Sequence, residues 1–410
     1  MIARPLRVAL IGTRGVPARY GGFETCVEEV GSRLAARGHD VLVYCRSADG
    51  VQPAAQYRGM RLTHLPAMRR RTLETLSHTA LSVAHQVTHA VNAAVVFNAA
   101  NAPLLPALRA RRIPVATHVD GLEWRRAKWS GNGRRYYRLA ESLAVRWSDA
   151  LIADAGGIAD YYAEEFGADT ELIAYGAPLV DGGAAHRLAE LGVRPDGYHL
   201  VVARFEPENH VDLIVEGYVR SRATLPLVVV GSAPYADVYS RRVQAAADGR
   251  VRLLGGVWDS ELLDQLYAHA RTYLHGHSVG GTNPSLLRAI GAGAPTAAFD
   301  VTFNREVLRG AGRWFATAQD VTRVVEEAED DPVAAHARGE ALRERARDYD
   351  WDDVADRYED LCRRLASGAL RARRRPTGRR RAARVPELPA DAPAALTPSV
   401  DLAGRVGADT

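Results

Sequence analysis

Residues 275–288 read HGHSVGGTNPSLLR and join the apolar run Thr272–Leu274 to the helical spacing of LLRAIGAG. A strand that passes through a glycine pair and Asn-Pro into a helix is one βα unit of a doubly wound sheet. Its turn offers unpaired backbone N–H groups and the positive end of a helix dipole, an arrangement that suits phosphate. Upstream, YHLVVARF (198–205), LPLVVVGSA (225–233) and VRLLGG (251–256) repeat the unit, and APTAAFD (294–300) follows it. The first half shows the same alternation in RVALIG (7–12), HDVLVYC (39–45), AVVFNAA (94–100), IPVATHVDG (113–121) and ALIADAGG (150–157). Between the first two strands, FETCVEEVGSRLAARG (23–38) has apolar residues at helical spacing and stops at Gly38.

Two runs of alternation predict an α/β protein of two Rossmann-like domains facing across a cleft. The chain's 410 residues exceed what one core usually supports, which agrees. The expected boundaries are 1–185 for the first domain and 186–350 for the second. A helix over 351–367 is expected to pack back on the first domain, and 368–410 to form a disordered Arg-rich tail. Tyr175-Gly176-Ala177-Pro178 is the expected hinge. Ligands of such paired domains bind at the carboxyl ends of the strands, between the halves.

Composition excludes several classes. Cys26, Cys45 and Cys362 are too few and too scattered for a disulfide framework or metal knuckle, which fits a reducing cytoplasm. The start MIARPLRVALIG lacks the pattern of a signal peptide. No run reaches the ~20 apolar residues that cross a bilayer. The net charge of +4 is an average of unlike parts. From Arg371 onward nine Arg face four acids, giving +5, so residues 1–370 carry −1. A near-neutral body argues against nucleic acid as a partner.

The loop GTRGVPARYGGFET (12–25) follows the first strand. Its Gly12-Thr13-Arg14-Gly15 breaks the G-x-G-x-x-G spacing, and the second strand ends Cys45-Arg46-Ser47 without an acid, so NAD is disfavoured. The loop is either a flexible connection or, through Gly21 and Gly22 at the next helix start, a second anion-facing turn. His118 and Asp120 in HVDGLEW (118–124) sit at a strand end, where they either move protons and bind a polar ligand or cap the loop. Arg204 in RFEPENHVD (204–212) either reaches a phosphate in the cleft or pairs with Glu206 or Glu208. Two anion-friendly helix starts plus an arginine suit a diphosphate.

These stretches also resemble a known family. GTRGVPARYGGFET, HVDGLEWRRAKW, VARFEPEN and HGHSVGGTNPSLL are similar to retaining GT-B glycosyltransferases of the family-4 type, within a bacterial rhamnosyltransferase-like subgroup, over roughly residues 6–365. The resemblance implies sugar transfer from a nucleotide-diphosphate donor held mainly by the second domain, dTDP-rhamnose being favoured. The acceptor, a glycan or lipid-linked glycan of cell-surface polysaccharide assembly, lies against the first domain. Neither cofactor nor metal is implied. By position, Gly21 and Gly22 lie beside the diphosphate, and His118 touches the sugar, with Asp120 beside it. Arg204 neutralises the departing diphosphate, and Asn209, Gly280, Gly281, Thr282 and Asn283 complete the donor side.

The chain departs from the wider family at three positions. That family carries two Glu separated by seven residues where this chain has Gly280 and Arg288, and a Lys where it has Asn209. Arg288 is then expected on a donor phosphate. A catalytically impaired binder of nucleotide sugars is the alternative expectation. The basic tail adds a peripheral contact with anionic membrane, or else it is a solvated tail with no partner.

Overall fold

The computed structural model describes residues 4–18, 21–47, 54–68, 73–119, 121–126, 129, 131–231 and 237–370. The tail from residue 371 and Asp120 lie outside these residues.

Two sheets organise the chain. The first contains β1 (Arg7–Ile11), β2 (Asp40–Arg46), β3 (Gln56–Tyr57), β4 (Met60–Leu65), β5 (Ala93–Phe97), β6 (Val115–His118), β7 (Ala150–Ala153) and β8 (Glu171–Leu172). Their spatial order is β3-β4-β2-β1-β5-β6-β7-β8. Every pairing is parallel except β3 with β4. The second sheet contains β9 (His199–Val202), β10 (Leu227–Val230), β11 (Val251–Gly255), β12 (Thr272–His275), β13 (Thr296–Phe299) and β14 (Arg313–Phe315). Its order, β11-β10-β9-β12-β13-β14, is parallel throughout. Both domains expected from the alternation are present.

In each sheet the strand order reverses beside the first strand, between β1 and β5 and between β9 and β12. A crevice opens at such a switch point, beyond the carboxyl ends of the strands. The central strands are short apolar runs buried along nearly their whole length, as helices on both faces require; β5 is AAVVF with all five residues buried.

Helices α1 (Gly22–Ala36), α2 (Glu74–Gln86), α3 (Leu105–Ala110), α4 (Gly131–Trp147) and α5 (Gly156–Phe166) serve the first sheet. The second has α6 (Val211–Arg220), α7 (Asp237–Ala246), α8 (Ser260–Ala268), α9 (Pro284–Gly291), α10 (Thr302–Leu308), α11 (Ala318–Asp330) and α12 (Pro332–Ala346). In α1, Cys26, Val27, Val30 and Leu34 turn inward at helical spacing. The helix stops at Gly38, whose φ of 88° is open to glycine without the Cβ penalty.

The last helix, α13 (Trp351–Ala366), follows the second domain in sequence but lies on the first. Arg37, just past α1, pairs with Asp356 at 2.6 Å, and the Cys26 thiol of α1 donates to the Tyr358 hydroxyl at 3.4 Å. Four strands were not expected from the sequence. Strands β3, β8 and β14 have two or three residues each, and β4 is half-exposed, so none carries an apolar run.

Candidate functional site

The carboxyl ends of β9 and β12 face those of β6 and β7 across the gap. Arg204, just past β9, is solvent-exposed there. It makes no ion pair with the described residues, and the charges acting on it include Arg126 and Glu123 of the first domain. Its pKa is lowered, first by desolvation and then by repulsion from Arg126. The expected pairing with Glu206 or Glu208 is not what the structure shows for Glu208. That carboxylate instead pairs with Arg126 at 3.3 Å, while Glu123 holds Arg126 from the other side at 2.6 Å. Two guanidiniums thus stand close enough to repel each other. An anion placed between them gains from both.

Asn209, expected on the donor side, is engaged by neighbours within the second domain. Its amide donates to the Arg204 carbonyl at 2.8 Å, and its oxygen meets His277 Nδ1 at 2.7 Å. Both polar ends are in use, so Asn209 shapes the Arg204 loop. The close approach of Gly276 to the Asn209 carbonyl leaves no room for a Cβ.

The turn before α9 divides into two parts. Gly280, at φ 138°, is partly exposed and meets Gly121 of the HVDG loop backbone to backbone. Gly281 and Thr282 are buried against the first domain. Gly281 packs on the Asp154 carboxylate, and the Thr282 hydroxyl donates to the Asp154 carbonyl. In this shut arrangement they face a carboxylate of the same chain. Asn283, also expected on the donor side, accepts the Ser285 N–H at 2.9 Å through its side chain and caps α9.

Arg288 is turned away from the gap. Its Nε lies 2.7 Å from the Asp264 carboxylate, and a terminal nitrogen donates to the Ser260 carbonyl at 2.9 Å, both at α8. In this arrangement Arg288, expected on a donor phosphate, links α8 to α9.

On the opposite wall Gly21 begins α1 with φ 111°. The Glu24 carboxylate folds back over Gly21 and accepts the Arg14 N–H at 3.0 Å. A built-in acid at this helix start weakens the case for a second phosphate there. Gly22 packs against the Tyr175 ring and Pro284 of α9, bringing both helix starts together.

His118 is fully buried at the end of β6, stacked between Phe97 at 5.4 Å and Tyr175 at 5.7 Å, with Phe23 edge-on. Neither ring nitrogen has a hydrogen-bond partner among the described residues, although the Val119 backbone partly offsets the effect of burial. Burial drives its pKa down to about 3, so the imidazole is neutral at physiological pH. In that state the ring offers a neutral donor or acceptor.

Asp154 and Glu306, which join the walls, were not expected from the sequence, and neither was the pairing of Arg126 with Glu208. Only the position of Asp154, one residue past β7, signalled it beforehand. Two cavities of about 450 and 440 Å³ lie elsewhere, one lined by Asp196, His269 and Arg343, the other by Glu171 and Arg364. The gap is singled out by its charge and by the strand ends that meet there.

Residues 21–176 match the glycosyl transferase 4-like domain, and residues 197–330 match the glycosyl transferases group 1 domain. The chain is 25% identical over 395 residues to a glycogen synthase of Mycobacterium tuberculosis, covering 85% of this chain and 92% of that protein. An O-antigen chain mannosyltransferase B of Escherichia coli is 28% identical over 167 residues, covering 38% of this chain and 43% of that one. Among solved structures, sucrose-phosphate synthase from Thermosynechococcus elongatus superimposes with a TM-score of 0.77 at 20% identity, over 88% of this chain and all of that one. Anabaena HepE in complex with UDP-glucose gives 0.68 at 15% identity, over 87% of this chain and 99% of that one.

Proposed function

We propose that this chain, which belongs to the GT-B glycosyltransferases with a 4-like domain followed by a group 1 domain, transfers rhamnose from dTDP-rhamnose to a glycan or lipid-linked glycan. The transfer retains anomeric configuration and serves cell-surface polysaccharide assembly. The observation that carries the reading is Arg204, a guanidinium without an ion-pair partner among the described residues, which stands in the gap opposite the Arg126 charge. A diphosphate between the walls relieves their repulsion. As the bond to the sugar breaks, negative charge grows on the departing phosphate, and a preplaced cation stabilises that state more than the ground state. Arg204 takes this role, and Gly280 leaves its backbone open to the gap. His118, being neutral, contributes shape and one hydrogen-bonding nitrogen without adding charge.

Incubation with labelled dTDP-rhamnose and a lipid-linked acceptor tests this, with UDP-, GDP- and ADP-sugars alongside. We expect transfer with retention, undiminished by EDTA. Loss of transfer in EDTA refutes the metal-free part, and transfer from another nucleotide sugar alone refutes the donor.

A second reading, an impaired binder of nucleotide sugars, is favoured by Arg288, whose side chain is committed to Asp264 and leaves no carboxylate at that helix position. Donor binding by calorimetry without transfer or donor hydrolysis selects it.

A further inference from the structure

Both walls of the gap meet at the turn between β7 and α5, residues 154–157. Each domain sends a carboxylate to a turn that leads into a helix of the other. From the second domain, Glu306 of α10 accepts the N–H groups of Gly156 and Gly157, each at 2.9 Å, at the start of α5. The first N–H groups of a helix have no partner within it, so Glu306 fills a vacancy that only the opposite domain can reach. From the first, the Asp154 carboxylate packs on Gly281 and the Asp154 backbone carbonyl accepts the Thr282 hydroxyl, in the turn just before α9. Asp154 is almost wholly buried, and its Oδ1 has no hydrogen-bond partner among the described residues.

We propose that Asp154 and Glu306 are paired positioning residues that seat the Gly280–Thr282 turn on the first domain, so that this turn reaches its working place only when the gap shuts. The naming of that turn as donor-side rests on the function proposed above; the seating does not. When the gap opens, water replaces both contacts and the turn is released.

Closure then depends on pH. Burial, with the Glu306 charge adding to it, raises the Asp154 pKa to about 7, against the pull of Tyr175 and Thr282. Cys26 of α1 and Tyr358 of α13 also feel this carboxylate. In the open form the carboxyl is solvated and titrates near the usual ~3.9. The shut form therefore binds the proton more tightly. Its advantage is complete below about pH 4 and is lost as pH rises through about 7.

Small-angle scattering of the full chain without ligand tests the proposal. We expect the radius of gyration to shift upward between about pH 6 and pH 8. Asp154→Asn abolishes that shift, and Glu306→Gln raises the radius at both pH values. Circular dichroism checks that each variant is folded. If the Asp154 variant is not, Thr282→Val, which removes one hydroxyl, must open the gap in its place. A wild-type radius that does not respond to pH, a shift that persists in Asp154→Asn, or an unchanged radius in Glu306→Gln overturns it. Scattering needs no donor, so a chain that transfers no sugar still reports on closure.

Discussion

At the scale of single residues, two arginines of one domain have opposite fates. Arg204 stands at the gap without an ion-pair partner among the described residues, whereas Arg288 is tied to Asp264 at 2.7 Å. Replacing Arg204 with Ala removes a charged hydrogen bond worth about 1.5–3 kcal/mol, which lowers kcat/KM roughly ten- to a hundredfold. Steady-state kinetics measures it, and the wild-type value in the variant contradicts the role. Arg288→Ala behaves differently. It breaks a partly exposed ion pair of about 0–1 kcal/mol and leaves donor affinity unchanged. Calorimetric titration with the nucleotide diphosphate distinguishes the two, because a phosphate-binding Arg288 would weaken binding when removed.

At the scale of elements, glycines fix how closely loops approach. Gly276 follows β12 and lies under the Asn209 carbonyl, so that the Arg204 loop and the β12 end touch backbone to backbone. A methyl there must displace Asn209, which holds both the Arg204 carbonyl and His277. Gly276→Ala is expected to cost about 1–3 kcal/mol of stability and to lower kcat as well. Urea unfolding reads the first and kinetics the second; unchanged values in both would show that the loop relaxes freely. This contact was invisible beforehand, because residues 209 and 276 are distant in the chain. The βα turns at 12–25, 204–212 and 275–288 were legible from their glycines and from the strands before them. The roles of Asn209, Asn283 and Arg288 were not. Each side chain reached a nearby partner, and residue type alone does not choose between a neighbour and a ligand.

At the scale of the whole molecule, α13 straddles the two halves. Trp351, Val354, Tyr358, Leu361, Cys362 and Leu365 are buried along one face, and the Trp351 indole closes over Gly176 in the link between the domains. The Tyr349 carbonyl receives the Ala177 N–H at 2.7 Å, so the expected hinge segment is held from behind. Ending the chain at residue 350 would expose the α1 surface that these side chains cover, each worth about 1.5–3 kcal/mol when fully buried. The first domain should then unfold at a lower temperature than the second. Calorimetry separates the two transitions, and an unaltered first transition would show that α13 is dispensable.

The sequence by itself determined the two-domain α/β plan, because apolar runs and glycine turns act through neighbours in the chain. It also determined that Arg204 follows a strand end, the place where such sheets meet ligands. Only the tertiary structure decided which charges are shared. Asp154 with the α9 turn, Glu306 with α5 and Arg126 with Glu208 are contacts between domains more than 80 residues apart in the chain. The energy of a charge depends on its surroundings and its opposite number, and neither is written next to it in the sequence.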